Sequence, residues 1–188
     1  HGKTAHASQP HLGEIAIYKI ANAVLKIEEY NKKINTITHP LFGHATANVG
    51  VIEGGNAPNT IPDLANIKID RRVLPNEDGD KVEKEFRQLV SPLEVSFVKR
   101  IEACETPYDS KIIKEMQSVL EGLSMDSKAY GFTATSELSE IRRHGIEGIV
   151  FGTGELSQAH KPNEYMTIEE LKTGTKIFNE LLKKWDVK

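Results

Sequence analysis

Apolar residues recur at three- and four-residue spacing from Ile15 to Ile27, through Ile17, Tyr18, Ile20, Ala21, Val24 and Leu25. This period predicts an amphipathic helix after Gly13, ended by the polar Asn31-Lys32-Lys33. Residues 45–52 read as a strand, closed by the turn-forming run Glu53-Gly54-Gly55-Asn56-Ala57-Pro58-Asn59. Leu64, Ile67, Ile69, Val73 and Leu74 give a second strand, and Pro75-Asn76-Glu77-Asp78 stops it and starts a helix over 79–90. Leu93, Val95, Phe97 and Val98 give a third. With a truncated strand at the N-terminus, residues 1–107 read as β-α-β-β-α-β, an α+β ferredoxin-like order with an antiparallel sheet and two helices on one face.

A boundary follows near Thr106-Pro107-Tyr108-Asp109, after which helix and strand alternate. Residues 110–123 are amphipathic, 129–133 are extended, 137–143 make a helical turn or two, and 149–151 read as a buried strand. A terminal helix is expected over 167–185, with Thr167 as N-cap and Glu170 completing a capping box. Residues 108–188 therefore read as the C-terminal portion of an α/β domain, with too few strands to be a whole one.

Composition narrows the class. The chain has 188 residues, 38% hydrophobic and 27% charged, as in ordinary globular proteins. A net charge of -3 gives no electrostatic footprint for nucleic acid or an anionic membrane, so neither is expected as a partner. No apolar run approaches the roughly 20 residues that span a bilayer. Cys104 is the single cysteine, which excludes an intrachain disulfide and points to a reducing, cytoplasmic setting. The chain opens on His1 and enters a motif at once, so it reads as a truncated or processed product.

Candidate chemistry lies in four places. His160 follows the turn Gly152-Thr153-Gly154, with Glu164 four residues on. A histidine in such a loop is a metal ligand or a surface side chain. His6, in Gly2-Lys3-Thr4-Ala5-His6-Ala7-Ser8-Gln9-Pro10, reads on its own as a strand-end histidine. Asn59 and Arg72 read on their own as a turn former and a strand-edge cation, and strand alternation turns Arg71 to the other face. Ser136 and Glu137 either touch a ligand or start a short helix, where carboxylates are favoured.

Taken together, the run Gly152-Thr153-Gly154-Glu155-Leu156-Ser157-Gln158-Ala159-His160-Lys161-Pro162-Asn163-Glu164-Tyr165 and the N-terminal run from Gly2 to Gly13 resemble two motifs of one family. It is the dinuclear zinc aminoacylase and carboxypeptidase family, of the acetylornithine deacetylase and succinyl-diaminopimelate desuccinylase type. Asn59-Thr60-Ile61-Pro62 and Asp70-Arg71-Arg72 resemble its Asn-x-Ile-Pro and Asp-x-Arg pair. The resemblance implies a dimerisation (lid) domain at 1–107, followed by the C-terminal portion of the catalytic domain at 108–188. It implies His160 as a metal ligand and His6 as a catalytic group that reaches across a homodimer to stabilise the oxyanion. Asn59, Arg72, Ser136, Glu137, Gly152 and Gly154 would bind substrate, with Arg72 holding a carboxylate.

The family's remaining ligands, a His-x-Asp pair, a bridging Asp and a Glu-Glu pair, have no counterpart before His160. The expectation is therefore part of an amidohydrolase acting on an N-acyl amino acid or peptide. The intact enzyme would carry two zinc or cobalt ions, and this chain would hold none stably and be inactive alone. A dipeptidase or carboxypeptidase of the same family, and a non-catalytic dimerisation module, are the alternatives.

Overall fold

A computed structural model describes residues 1–184 and divides the chain into two compact units, His1–Ala103 and Cys104–Lys188. Both mix regular and irregular structure, and each is built around its own apolar cluster.

In the first unit, α1 (Ala16–Ile34) turns Ala23, Ile27, Tyr30 and Ile34 inward. Their four- and three-residue spacing is one face of a 3.6-residue period. The helix outlasts the polar Asn31-Lys32-Lys33 because Ile34, one turn beyond Tyr30, is also buried and continues the stripe. Lys32 and Lys33 sit in the last turn, where the helix dipole favours cations.

The stripe packs on an antiparallel ladder of β4 (Thr46–Gly54) with β6 (Ala65–Arg72), in register from Thr46↔Arg72 to Gly54↔Ala65. The register slips between Val49 and Val51, so Gly50 is the extra residue of a bulge. α2 (Gly79–Val90) closes the cluster with Phe86 and Val90, and the Phe86 ring meets Tyr30 edge-on at 5.9 Å. Its N-cap Asp78 accepts from the N–H groups of Asp80 (3.0 Å) and Lys81 (3.2 Å).

Two short pairings complete this unit. β1 (Ala5–His6) lies antiparallel to β5 (Thr60–Ile61). β2 (Thr38–His39) pairs with β3 (Gly43–His44), a hairpin whose second strand opens, just after the turn, on the left-handed Gly43.

The third strand expected over 93–98 does not form. Leu93 and Val95 pack on the core as alternation predicts, but the carbonyl of Val95 accepts from Arg87 Nη1 at 2.8 Å. A strand needs a neighbouring backbone as well as a period, and among the described residues no ladder includes this segment. Among the described residues the ladders are three two-stranded pairs.

In the second unit, α3 (Lys111–Gly122) and α5 (Ile168–Lys184) bury Met116, Val119, Ile177 and Leu181 against each other. α4 (Leu138–Arg143) is a short third helix. The capping box at the head of α5 is formed as expected: the Thr167 N–H donates to Glu170 Oε2 at 2.7 Å, and the Glu170 N–H donates to Thr167 Oγ1 at 3.1 Å. Residue 185, expected to end this helix, lies outside the described residues. The strands expected at 129–133 and 149–151 have no ladder among the described residues, so the alternating α/β sheet is not formed. Ile149 and Phe151 rest on the α3–α5 cluster while Val150 is 42% exposed, which corrects the expectation of a buried strand.

Candidate functional site

β1 carries His6 beside β5, which Asn59 directly precedes. The pairing is His6↔Thr60 and Ala5↔Ile61, and the Ala7 N–H donates to the Asn59 carbonyl at 2.9 Å. Gly13 allows the neighbouring chain to press against this ladder. A Cβ there would stand 2.8 Å from Ile61 Cγ2 and 2.9 Å from Ala5 Cβ, closer than side-chain atoms pack. After β1 the chain turns sharply, with the Gln9 N–H donating to the His6 carbonyl at 2.9 Å. That turn lays Ser8 along the imidazole: Ser8 Oγ is 2.7 Å from His6 Nδ1, and the Ser8 N–H donates to the same nitrogen at 3.2 Å. Ser8 is not among the residues the sequence singles out. Its signal is a hydroxyl two positions after a histidine, the spacing of a side-chain-closed turn.

Arg72 stands elsewhere. It ends β6, and the eight-residue strand places it about 23 Å from Ala65 at about 3.3 Å per residue. Asn59 and His6 adjoin the opposite end of β6, so one copy of the chain does not bring Arg72 to them. Its exposed guanidinium donates to both Asp70 oxygens, at 2.6 and 3.0 Å. Arg71 turns the other way and is buried against Glu77.

In the second unit, the loop from Gly152 to Glu164 is fastened at its start to α5. Thr153 seats on Gly174, where any Cβ would collide with the threonine methyl, and Thr153 Oγ1 contacts Met166 Sδ at 3.2 Å. Gly154 has φ +84°, open to glycine alone without strain. His160 (φ +63°) and Asn163 (φ +62°) are left-handed too, which few non-glycine residues are. Glu164 Oε2 accepts the backbone N–H of His160 at 3.0 Å, so this carboxylate holds the turn that displays the imidazole. Strained backbone at an exposed histidine is where functional loops are found.

Ser136 Oγ accepts from the Leu138 N–H at 3.4 Å, and the Glu137 carbonyl takes the first bonds of α4. The backbone of Glu137 thus starts a helix, and its side chain is exposed.

These residues do not by themselves fit a dinuclear zinc centre. Among the described residues no group of three His, Cys, Asp or Glu side chains could hold an ion, whereas zinc takes three or four protein ligands. Burial pushes the Cys104 thiol above its ordinary range, partly opposed by Arg142, which is the reverse of a nucleophile's environment. Among the described residues no helix is long and apolar enough to cross a membrane.

The family described as peptidase dimerisation domain matches residues 1–97. Acetylornithine deacetylase of Myxococcus xanthus is 24% identical over 184 residues, covering 90% of this chain and 47% of that protein. Succinyl-diaminopimelate desuccinylase of Corynebacterium glutamicum is 29% identical over 190 residues, covering 97% and 49%. A solved tripeptidase from Staphylococcus aureus superposes with a TM-score of 0.76 at 25% identity, over 97% of this chain and 48% of that one. The chain spans about half the length of the curated relatives it matches.

Proposed function

The chain belongs to the peptidase dimerisation domain family, and on that premise we propose that it is part of a metal-dependent amidohydrolase that removes the acyl group from an N-acyl amino acid. The observation that carries this reading is the span of the likeness. Relatives named acetylornithine deacetylase and succinyl-diaminopimelate desuccinylase match at least 90% of the chain, well past the dimerisation domain at 1–97. The chain reaches the loop of His160, and that residue is the one metal ligand it would contribute. The other ligands of a two-zinc or two-cobalt centre, and its general base, would come from sequence outside these residues.

What this chain would supply is positioning. Residues 1–107 would act as a ferredoxin-like lid domain and pair two copies into a homodimer, a reading supported by the outer edge of β4, which has no ladder partner among the described residues. The distance along β6 between Arg72 and the His6–Asn59 corner favours a site completed by two copies. His6 and Asn59 of one would meet the acyl oxygen, while Arg72 of the other would hold the substrate carboxylate by its paired N–H groups. Gly152 and Gly154 would let backbone approach the substrate, with Ser136 or Glu137 lining the same portion. Residues 108–188 would form the C-terminal portion of the catalytic domain, in a cytoplasmic enzyme.

A second reading, a dimerisation module without catalysis, is favoured by the extent of the family match itself, which ends at residue 97. Zinc content and hydrolysis of N-acetylornithine, measured on this chain and on any longer polypeptide encoded in frame with it, decide between the two. The longer polypeptide should bind metal and hydrolyse the substrate, and the 188-residue chain should do neither. Activity in the short chain would sink the fragment reading. A longer product that self-associates without metal would establish the module.

A further inference from the structure

We propose that Ser8 is a positioning residue that fixes His6 in the tautomer with its proton on Nε2, so that the ring presents an N–H donor away from the turn. A backbone N–H can only donate, and that of Ser8 points at His6 Nδ1 from 3.2 Å. Nδ1 must therefore carry the lone pair in the neutral ring. The Ser8 hydroxyl, 2.7 Å from the same nitrogen, rotates to donate as well. A neutral imidazole has one proton, which then sits on Nε2.

The turn enforces the arrangement. Ala7 is tied to Asn59 and Gln9 to the His6 carbonyl, so the backbone of Ser8 is held on both sides. His6 itself is exposed at the end of β1, and its Nε2 faces away from the turn that Nδ1 occupies. A donor held in advance, at no cost when charge develops on an acyl oxygen, is what an oxyanion site requires. The value of this tautomer to catalysis rests on the role proposed for His6 above. The tautomer itself does not.

The test is two-bond proton–nitrogen correlation spectroscopy of the full chain with labelled histidine, at a pH where the ring is neutral. The His6 signals are assigned by their loss in His6→Gln. Nδ1 should resonate as an unprotonated, pyridine-type nitrogen and Nε2 as a pyrrole-type one. Ser8→Ala removes the hydroxyl and should raise the ratio of Nδ1–H to Nε2–H about fivefold, the equivalent of about 1 kcal/mol for one hydrogen bond. Ser8→Thr should restore the original ratio. A proton found on Nδ1 in the unaltered chain, or a ratio unmoved by Ser8→Ala, overturns the proposal. The role of His6 is read separately, in a longer active polypeptide. There, an unchanged kcat in His6→Ala would overturn that role and leave the tautomer result standing.

Discussion

Arg71 Nη2 lies 2.5 Å from Glu77 Oε1, with the two side chains only 11% and 8% exposed. Glu77 Oε2 also accepts the Leu74 N–H at 2.9 Å, and Arg71 Nε donates to the Tyr30 hydroxyl at 3.3 Å. Burial alone would lower the Arg71 pKa, but its bonds to Glu77 and Tyr30 hold it above its ordinary value. The pair thus ties the end of β6 to the segment before α2 and to α1. Glu77→Ala leaves a buried cation and an unmatched backbone N–H, and should cost about 3 kcal/mol in urea unfolding. The double variant Arg71→Met/Glu77→Leu should lose clearly less. An equal or larger loss in the double variant would show that the pair is not what the region depends on.

The two faces of α5 should respond differently. Ile177, 2% exposed, fills the contact with α3, and Ile177→Ala should cost about 3 kcal/mol. Ile168, Leu171, Phe178 and Leu182 form a second stripe along the same helix, between 45% and 73% exposed. Leu171→Gln with Leu182→Gln should change stability by no more than about 1 kcal/mol. The same variant should reduce concentration-dependent self-association, read by sedimentation, and the binding of a hydrophobic dye. Unchanged association would mean that this stripe is not the sticky surface.

Two helix starts set part of the acid limb. The N–H groups of Lys81 and Asp80 hold Asp78 below the ordinary 3.8, and the hydroxyl and N–H of Thr167 hold Glu170 below the ordinary 4.5. Both carboxylates are bound more favourably when charged. Their contribution is therefore complete above those ordinary values and is lost as pH falls through the lower folded-state values. Helix content followed by circular dichroism on acidification should fall less steeply below pH 4.5 in Glu170→Gln than in the unaltered chain. A superimposable acid limb would remove Glu170 from the account.

Cys104 should be slow to alkylate. Its thiol is pushed up by burial, so less thiolate is present at neutral pH than in a free cysteine. Iodoacetamide should modify the folded chain several-fold more slowly than the urea-unfolded chain, and the gap should narrow at alkaline pH. Equal rates would show that the burial does not restrain the thiol.

Local signals carried much of this fold. The helix after Gly13, the start of α2 after Asp78 and the Thr167–Glu170 box depend on neighbours within one or two turns, and each formed as the sequence predicted, although the face α1 buries runs through Ala23, Ile27, Tyr30 and Ile34 and leaves the expected Ile17, Tyr18 and Leu25 exposed. The opposite placement of Arg71 and Arg72 follows from strand alternation in the same way. What the sequence hid was pairing. Leu93, Val95 and Ile149 alternate or cluster as strand residues do, yet a ladder needs a second backbone that no single segment encodes. The β2–β3 hairpin was hidden for the opposite reason: at two residues a side, it is too short to show a period. The candidate site divides similarly. Histidines and glycine turns are visible as letters, whereas the Ser8–His6 contact and the separation of Arg72 from Asn59 arise only when the chain turns in space.

Gly50 changes the parity of its strand. Before it, odd-numbered Val49 stands opposite Ile69; after it, even-numbered Ile52 stands opposite Ile67, so both pairs lie on one face although their numbering disagrees. A related sequence without the extra residue would keep a single parity through the strand. When such a sequence is aligned with this one, the one-residue gap belongs at position 50, inside the strand. Placing it in the loop at 55–59 instead would exchange every inward and outward position across the C-terminal half of β4.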